Sequence, residues 1–247
     1  MAVLGKRILR LSIFFLFACR PAMAVTDQEL KSQSHLIADF LITGRGVVAE
    51  SILKYKINDA TIGGKGFTPE IFEQNINTRF RETTGVDILA GRVPATFPEN
   101  TLEMLRILLQ ASKKVVKETQ PVINMKGVGF KGFIPATYGR MVADTFREKT
   151  GISIKQTSLR FRNTYNAPDP VEQKVLSDME SPGYKKGEAF EKREATSFRL
   201  MKPVYIKKSC LGCHGGPAGE LDVAGRKKEG YKEGDLRGAI SIQIPLK

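Results

Sequence analysis

The chain has 247 residues, with 39 Lys and Arg against 26 Asp and Glu, a net charge of +13, three cysteines and two histidines. That length allows one large domain, or a domain with an elaborated entry segment. The basic excess is dispersed in pairs such as Lys113-Lys114, Lys207-Lys208 and Lys227-Lys228, without a basic helix or a stacking platform, which argues against nucleic acid as a partner.

Residues 1–24 read as a leader. Lys6, Arg7 and Arg10 precede the apolar run Leu11 to Ala18, and Ala22-Met23-Ala24 supplies a small-x-small cleavage site. These are the parts of a secretory signal peptide, too short to span a bilayer as a mature helix. Cleavage after Ala24 leaves 223 residues, 25–247, with a charge of +9, and implies a periplasmic location. Leu16-Phe17-Ala18-Cys19 offers a second reading, a lipobox with Cys19 as a lipid anchor. Phe17 fits that pattern poorly and the Ala-x-Ala site fits well. No other stretch is apolar enough to cross a membrane.

Residues 25–247 are expected to form a single domain, with a helical segment over 25–120 followed by an α+β core over 121–247. A helix is expected over about Gln28 to Tyr55 and another over about Thr101 to Thr119. Each precedes one copy of an internal repeat. Residues 64–88 align without gaps onto 130–154, with ten of 25 positions identical, among them Lys65/Lys131, Gly66/Gly132, Phe67/Phe133 and Pro69/Pro135. In both copies proline stands at the first turn of a helix, where its missing N–H is harmless. The helix then ends at Gly85 or Gly151, a residue type suited to positive φ. The spacing predicts a duplicated helix–loop–helix element packed against itself.

After Gly151 the apolar period shortens. Ile152 to Leu159 alternates in part as a strand does. Asp169, Pro170 and Glu172 form a capping box at the start of a helix running to about Met179. Strands are expected over Ala189 to Glu194, Ser197 to Ile206 and Ala239 to Ile244, and residues 215–236 read as a surface loop. Helices followed by antiparallel strands indicate an α+β fold.

Between the last two strands stands Cys210-Leu211-Gly212-Cys213-His214. A Cys-x-x-Cys-His run is the attachment signature of c-type haem: both thiols form thioethers with the porphyrin, and the adjoining histidine ligates the iron as proximal ligand. One such run predicts one haem. A structural zinc site would need two more ligands, yet His35 is the other histidine and the mature chain has no third cysteine. A thioredoxin-like dithiol would open a helix and needs no adjacent histidine; the flanking Lys207-Lys208-Ser209 and Gly215-Gly216-Pro217 read as loop.

Thr157-Ser158-Leu159-Arg160, Asn163, Asn166-Ala167-Pro168-Asp169, Lys202-Pro203-Val204-Tyr205, the Cys210 to Gly215 run and Gly234-Asp235-Leu236-Arg237-Gly238-Ala239-Ile240-Ser241 together resemble the Tll-type c-haem domain family. The resemblance covers residues from about 30 to the end. Ile57-Asn58-Asp59, Thr61-Ile62-Gly63 and Gly66-Phe67-Thr68-Pro69 are similar to its longer subgroup, in a free exported form. It implies a PAS-like antiparallel sheet with long N-terminal helices around one covalent haem held by Cys210, Cys213 and His214. In some relatives a cysteine of the N-terminal helical region binds the other face. Its place here falls near Asn124, and no cysteine stands there.

Candidates for the sixth iron position are therefore Met125, whose thioether would raise the reduction potential, His35, or an open site lined by Asn124. His35 lies off the apolar stripe of its helix and reads as a solvated side chain, while Met141 and Met201 read as core residues. Arg160, Arg162 and Arg237 are candidate propionate partners. Two function classes follow. One is a mono-haem module for electron transfer, redox sensing or small-ligand sensing, its partner a redox protein or a small gaseous ligand. The other is a haem enzyme of the peroxidase or nitrogen-oxide reductase type, which needs an open iron and a distal acid–base group.

Overall fold

Thr26 starts the first helix. Its hydroxyl accepts the Glu29 N–H at 3.2 Å, and Glu29 accepts the Thr26 N–H at 2.8 Å, a reciprocal cap that fixes the helix start. The computed structural model describes residues 25–246; the leader and Cys19 lie outside the described residues. Four long helices come first, α1 (Asp27–Lys54), α2 (Pro69–Thr84), α3 (Thr101–Ile123) and α4 (Pro135–Thr150). Helix α3 passes the expected end at Thr119 and continues through Pro121, because Ile123 is fully buried and draws the last turn into the core.

The repeat folds as a pair of matched units that brace each other. Helices α2 and α4 each begin at the repeat proline and end at a left-handed glycine, Gly85 at φ 76° and Gly151 at φ 73°. Ahead of each helix the copies exchange hydrogen bonds. Asn58 Oδ1 accepts the Lys131 N–H and Asn124 Oδ1 accepts the Lys65 N–H, both at 3.0 Å. The two lysines are buried. Lys65 Nζ donates to the Asp59 carbonyl and Lys131 Nζ to those of Met125 and Val128. Asn124 Oδ1 thus helps to hold the other copy.

The copies diverge where their helices end. In the first, buried Asp87 accepts from Asn77 Nδ2 and the Ala90 N–H, each at 3.0 Å, and pairs with Arg81 and Arg92. These contacts close a tight turn in which Asp87 and Arg92 bridge. Ser153 occupies the equivalent place in the second copy and cannot gather those partners. There the chain runs on extended as β1 (Ser153–Thr157).

Helix α5 (Pro170–Glu180) carries the expected Asp169–Glu172 capping box. Strands β2 (Phe190–Arg193) and β3 (Ser197–Tyr205), the short helix α6 (Leu211–His214) and β4 (Leu236–Pro245) complete the fold. The sheet is antiparallel with order β1-β4-β3-β2, giving the PAS-like α+β architecture expected. One face joins the four long helices in a core running from Leu30 to Ile244. The other face meets α5 through Val175, Leu176 and Met179 against Met201 and Ala239. Among the described residues no helix is long and apolar enough to cross a membrane.

Helix α1 is the central element. It touches α2, α3, α4, β3 and β4, and crosses α4 at Gly44. A Cβ there would stand 2.9 Å from the Tyr138 ring, which is fully buried and bonded through its hydroxyl to Ser112 Oγ at 2.8 Å. Gly44→Ala is expected to destabilise the fold by about 1–3 kcal/mol, the range for overpacking a close-packed core. Urea unfolding of the variant checks this, and unaltered stability would show that α1 and α4 can separate freely at that crossing.

Candidate functional site

Strand β3 delivers the cysteine–histidine run. A single 3-10 turn, Lys208–Cys210, leads into α6, so the motif lies in a short helical stretch rather than the loop its sequence suggested. The Gly215 N–H closes it on the Leu211 carbonyl at 2.9 Å. A Cβ at Gly215 would stand 2.6 Å from that same oxygen, so the residue after the histidine must be glycine. Cys210 and Cys213 are both free thiols. Burial, aided by the charge of Asp222, pushes the Cys213 thiol above its ordinary value against the opposing Arg162 and Lys228. A raised pKa keeps that sulfur protonated near neutrality, unlike the depressed thiolate of a dithiol oxidoreductase.

The segment read as a surface loop builds the rest of the site. It doubles back at Asp222, whose carboxylate accepts the Ala224 and Arg226 N–H groups at 2.9 Å each, and Leu221 bridges to Lys227. Its return limb brings Glu229 and Tyr231 against α6. The Tyr231 N–H donates to the His214 carbonyl at 2.9 Å, and the two rings meet edge to face at 6.5 Å. Glu229 Oε2 lies 2.9 Å from His214 Nδ1.

That contact orders the imidazole. Burial holds His214 below its ordinary pKa, with Arg237 and Arg162 lowering it further against the pull of Glu229, so the ring is neutral near pH 7. With Nδ1–H donated to the carboxylate, Nε2 carries the lone pair, the tautomer a metal-ligating histidine needs. Burial would raise the Glu229 carboxyl, yet the bonds from Arg162 and His214 hold it below the usual carboxylate range.

Arg162 binds this arrangement together. Its Nε donates to Glu229 Oε1 at 2.6 Å and one terminal nitrogen to Asp222 Oδ2 at 2.6 Å. The other donates to Glu229 Oε2 and to the Cys213 carbonyl, each at 2.7 Å. Arg237 donates to Ser158 Oγ at 2.7 Å, and the Arg160 guanidinium stacks 4.2 Å from the centre of the Tyr231 ring. Phe161, Leu221 and Val223, neighbours in sequence of Arg162 and Asp222, are exposed apolar side chains. A neutral, oriented histidine on the same short segment as two free thiols fits a haem: the thiols would hold it and His214 Nε2 would face its iron.

The model of the Tll0287-like family matches residues 24–245. The chain belongs to the Tll0287-like family. Among solved structures, the crystal structure of the cyanobacterial heme-protein Tll0287 is similar with a TM-score of 0.41 and 19% identity, covering 59% of this chain and 92% of that one. No curated protein matches.

Against this family background, the structure gathers Cys210, Cys213 and His214 on one short segment. Met125 is 47% exposed on the loop that pairs the repeat copies. His35 is half-buried and bonded to Glu191 at 2.6 Å, with Lys31 on the same carboxylate at 2.9 Å. This pair fastens α1 to β2 instead of leaving the ring in solvent. Glu191 pairs with Leu200, five residues and about 16 Å of strand before Tyr205. Met201 is a fully buried core residue, and Met141 packs against the core.

Of the candidate propionate arginines, Arg162 spends its donors on protein acceptors. Sequence reasoning missed Glu229, Asp222 and Tyr231, which sit in a Gly- and Lys-rich stretch without period. The signal available was the pairing of isolated acids with the invariably charged Arg162 across a loop.

Proposed function

We propose that the chain is an exported periplasmic protein carrying one haem c, attached through Cys210 and Cys213, with His214 Nε2 as proximal ligand. Its role is one-electron transfer or sensing of redox state or a small ligand. When bound, the haem supplies a one-electron iron couple. The observation that carries the reading is the His214–Glu229 contact, which fixes the tautomer, aims Nε2 away from the carboxylate and increases its basicity. Arg162 keeps Glu229 ionised for that task and ties the Cys213 carbonyl to it, so thiol and histidine keep a fixed relation.

The test is an absorption spectrum of protein co-expressed with a haem c maturation system, recorded oxidised, reduced, and reduced under carbon monoxide. Haem that stays with the protein through acid–acetone extraction is the expected result. The Cys210→Ser/Cys213→Ser double variant should release essentially all of it. Retention in that variant would refute covalent attachment. A reduced spectrum untouched by carbon monoxide assigns electron transfer or redox sensing, whereas one that shifts assigns small-ligand sensing.

A further inference from the structure

Helix α1 points one more charged group at this end of the sheet. The helix runs alongside β2 and β3: Lys31 and His35 meet Glu191, and Asp39 meets Lys202 at 2.6 Å. Beyond Lys202, β3 continues to Tyr205 and then to the motif, so the next turns of α1 lie toward Cys210. Arg45 follows Ala38 by seven residues and Leu41 by four, which places it on the same helix stripe. Ala38 and Leu41 are both fully buried. Arg45 itself is half-buried, and a guanidinium N–H that is shielded from water without a partner is costly.

Arg45 Nε is buried and has no hydrogen-bond partner. Burial depresses its pKa to about 10, with the charge of Arg237 lowering it further and Cys210 acting in the opposite sense. It therefore stays protonated at neutral pH, close enough to a second cation and to the first motif cysteine to feel both. Among the described residues no carboxylate is bonded to Arg45: Glu229 and Asp222 are held by Arg162, with Arg237 3.9 Å from Glu229, and Glu50 accepts both terminal nitrogens of Arg79.

We propose that Arg45 is a haem-contacting residue whose guanidinium takes a propionate carboxylate, so that α1 and the Cys210–His214 segment hold the same cofactor from different elements. The inference rests on the haem reading above and deepens it. A haem brings two carboxylates, the class of anion that matches the planar donor fork of arginine. The arrangement also gives α1 a reason to carry a half-buried charge in line with Ala38 and Leu41. A cation held against a propionate offsets negative charge near the iron and favours the reduced form.

The experiment compares reduction potentials of haem-loaded wild type, Arg45→Met and Arg45→Lys at one pH. Arg45→Met should favour the oxidised form by at least tenfold, which for a one-electron couple is a 59 mV fall. Arg45→Lys, which keeps the charge, should stay within twofold of wild type. Arg45→Gln replaces the Met variant if that one does not fold. A loss of thermal stability without a change in potential would overturn the assignment, leaving Arg45 a structural residue. Equal falls for Met and Lys would overturn it too, since charge would not be what matters. Failure of wild type to take up haem would instead overturn the haem reading itself.

Discussion

Exchanging Glu229 for Gln is expected to raise the reduction potential of the bound haem by about 60 mV or more, tenfold in the one-electron equilibrium, while the haem stays attached. The cause is the hydrogen bond behind the histidine. Glu229 lies 2.9 Å from His214 Nδ1 and is kept ionised by Arg162. An ionised acceptor draws the Nδ1 proton toward itself, loads electron density onto Nε2 and stabilises ferric iron. Gln keeps the shape and an acceptor oxygen but not the charge, so the ferric state loses that support. The sign is opposite to that expected for Arg45→Met, which makes the pair a stringent check: one variant removes a negative charge behind the proposed proximal ligand, the other a positive charge at the proposed propionate site. A spectroelectrochemical titration reads both. A Glu229→Gln potential equal to wild type would mean that His214 Nε2 is not an iron ligand, or that Glu229 does not act through it.

Arg162→Ala is expected to be the most destabilising single change at the site. The side chain holds Asp222, Glu229 and the Cys213 carbonyl at once, and the Asp222 side chain is 1% exposed. Removing the guanidinium leaves two carboxylates in a poorly solvated pocket, a loss of about 3 kcal/mol by comparison with other broken buried pairs. For a domain of this size that corresponds to a melting temperature lower by roughly 6–12 °C.

The effect should also depend on pH, with a definite sign. For Asp222 burial works upward, but the Arg226 and Ala224 N–H groups and Arg162 bring it below its ordinary value; Glu229 is likewise depressed. Carboxylates depressed in the folded state contribute stability above their unfolded pKa values, near 4, and lose it as pH falls through the folded ones. The gap between wild type and Arg162→Ala should therefore be widest near pH 7 and close below about pH 4. A gap independent of pH would assign the loss to packing.

Much of this molecule could be read before any coordinates. The repeat, its proline starts and glycine stops, the Asp169 capping box and the alternating strands are all local patterns, and local chemistry decides them. The Cys-x-x-Cys-His run is local as well. What escaped is long-range. Nothing in residues 215–236 reveals that Glu229 will find His214, because the contact depends on Asp222 turning the chain and Arg162 receiving both acids from a different part of the sequence. The partner of Asn124 is equally hidden: it is Lys65, 59 residues away, and only the mutual packing of the two copies brings them together. His35 lies off the apolar stripe, so periodicity sent it to solvent, whereas Glu191 on another element captured it.

The exchange between Asn58 and Lys131, and between Asn124 and Lys65, also bears on how this protein came to be and how it can be cut. Each copy supplies the bond that completes the other. Deleting residues 25–90 would strip the second copy of its acceptor for Lys131 and strand the side chain of Asn124, although every residue of the cysteine–histidine segment would remain. The two similar units are thereby tied into one reciprocal pair. The half that carries the cysteine–histidine segment is therefore braced by the half that precedes it.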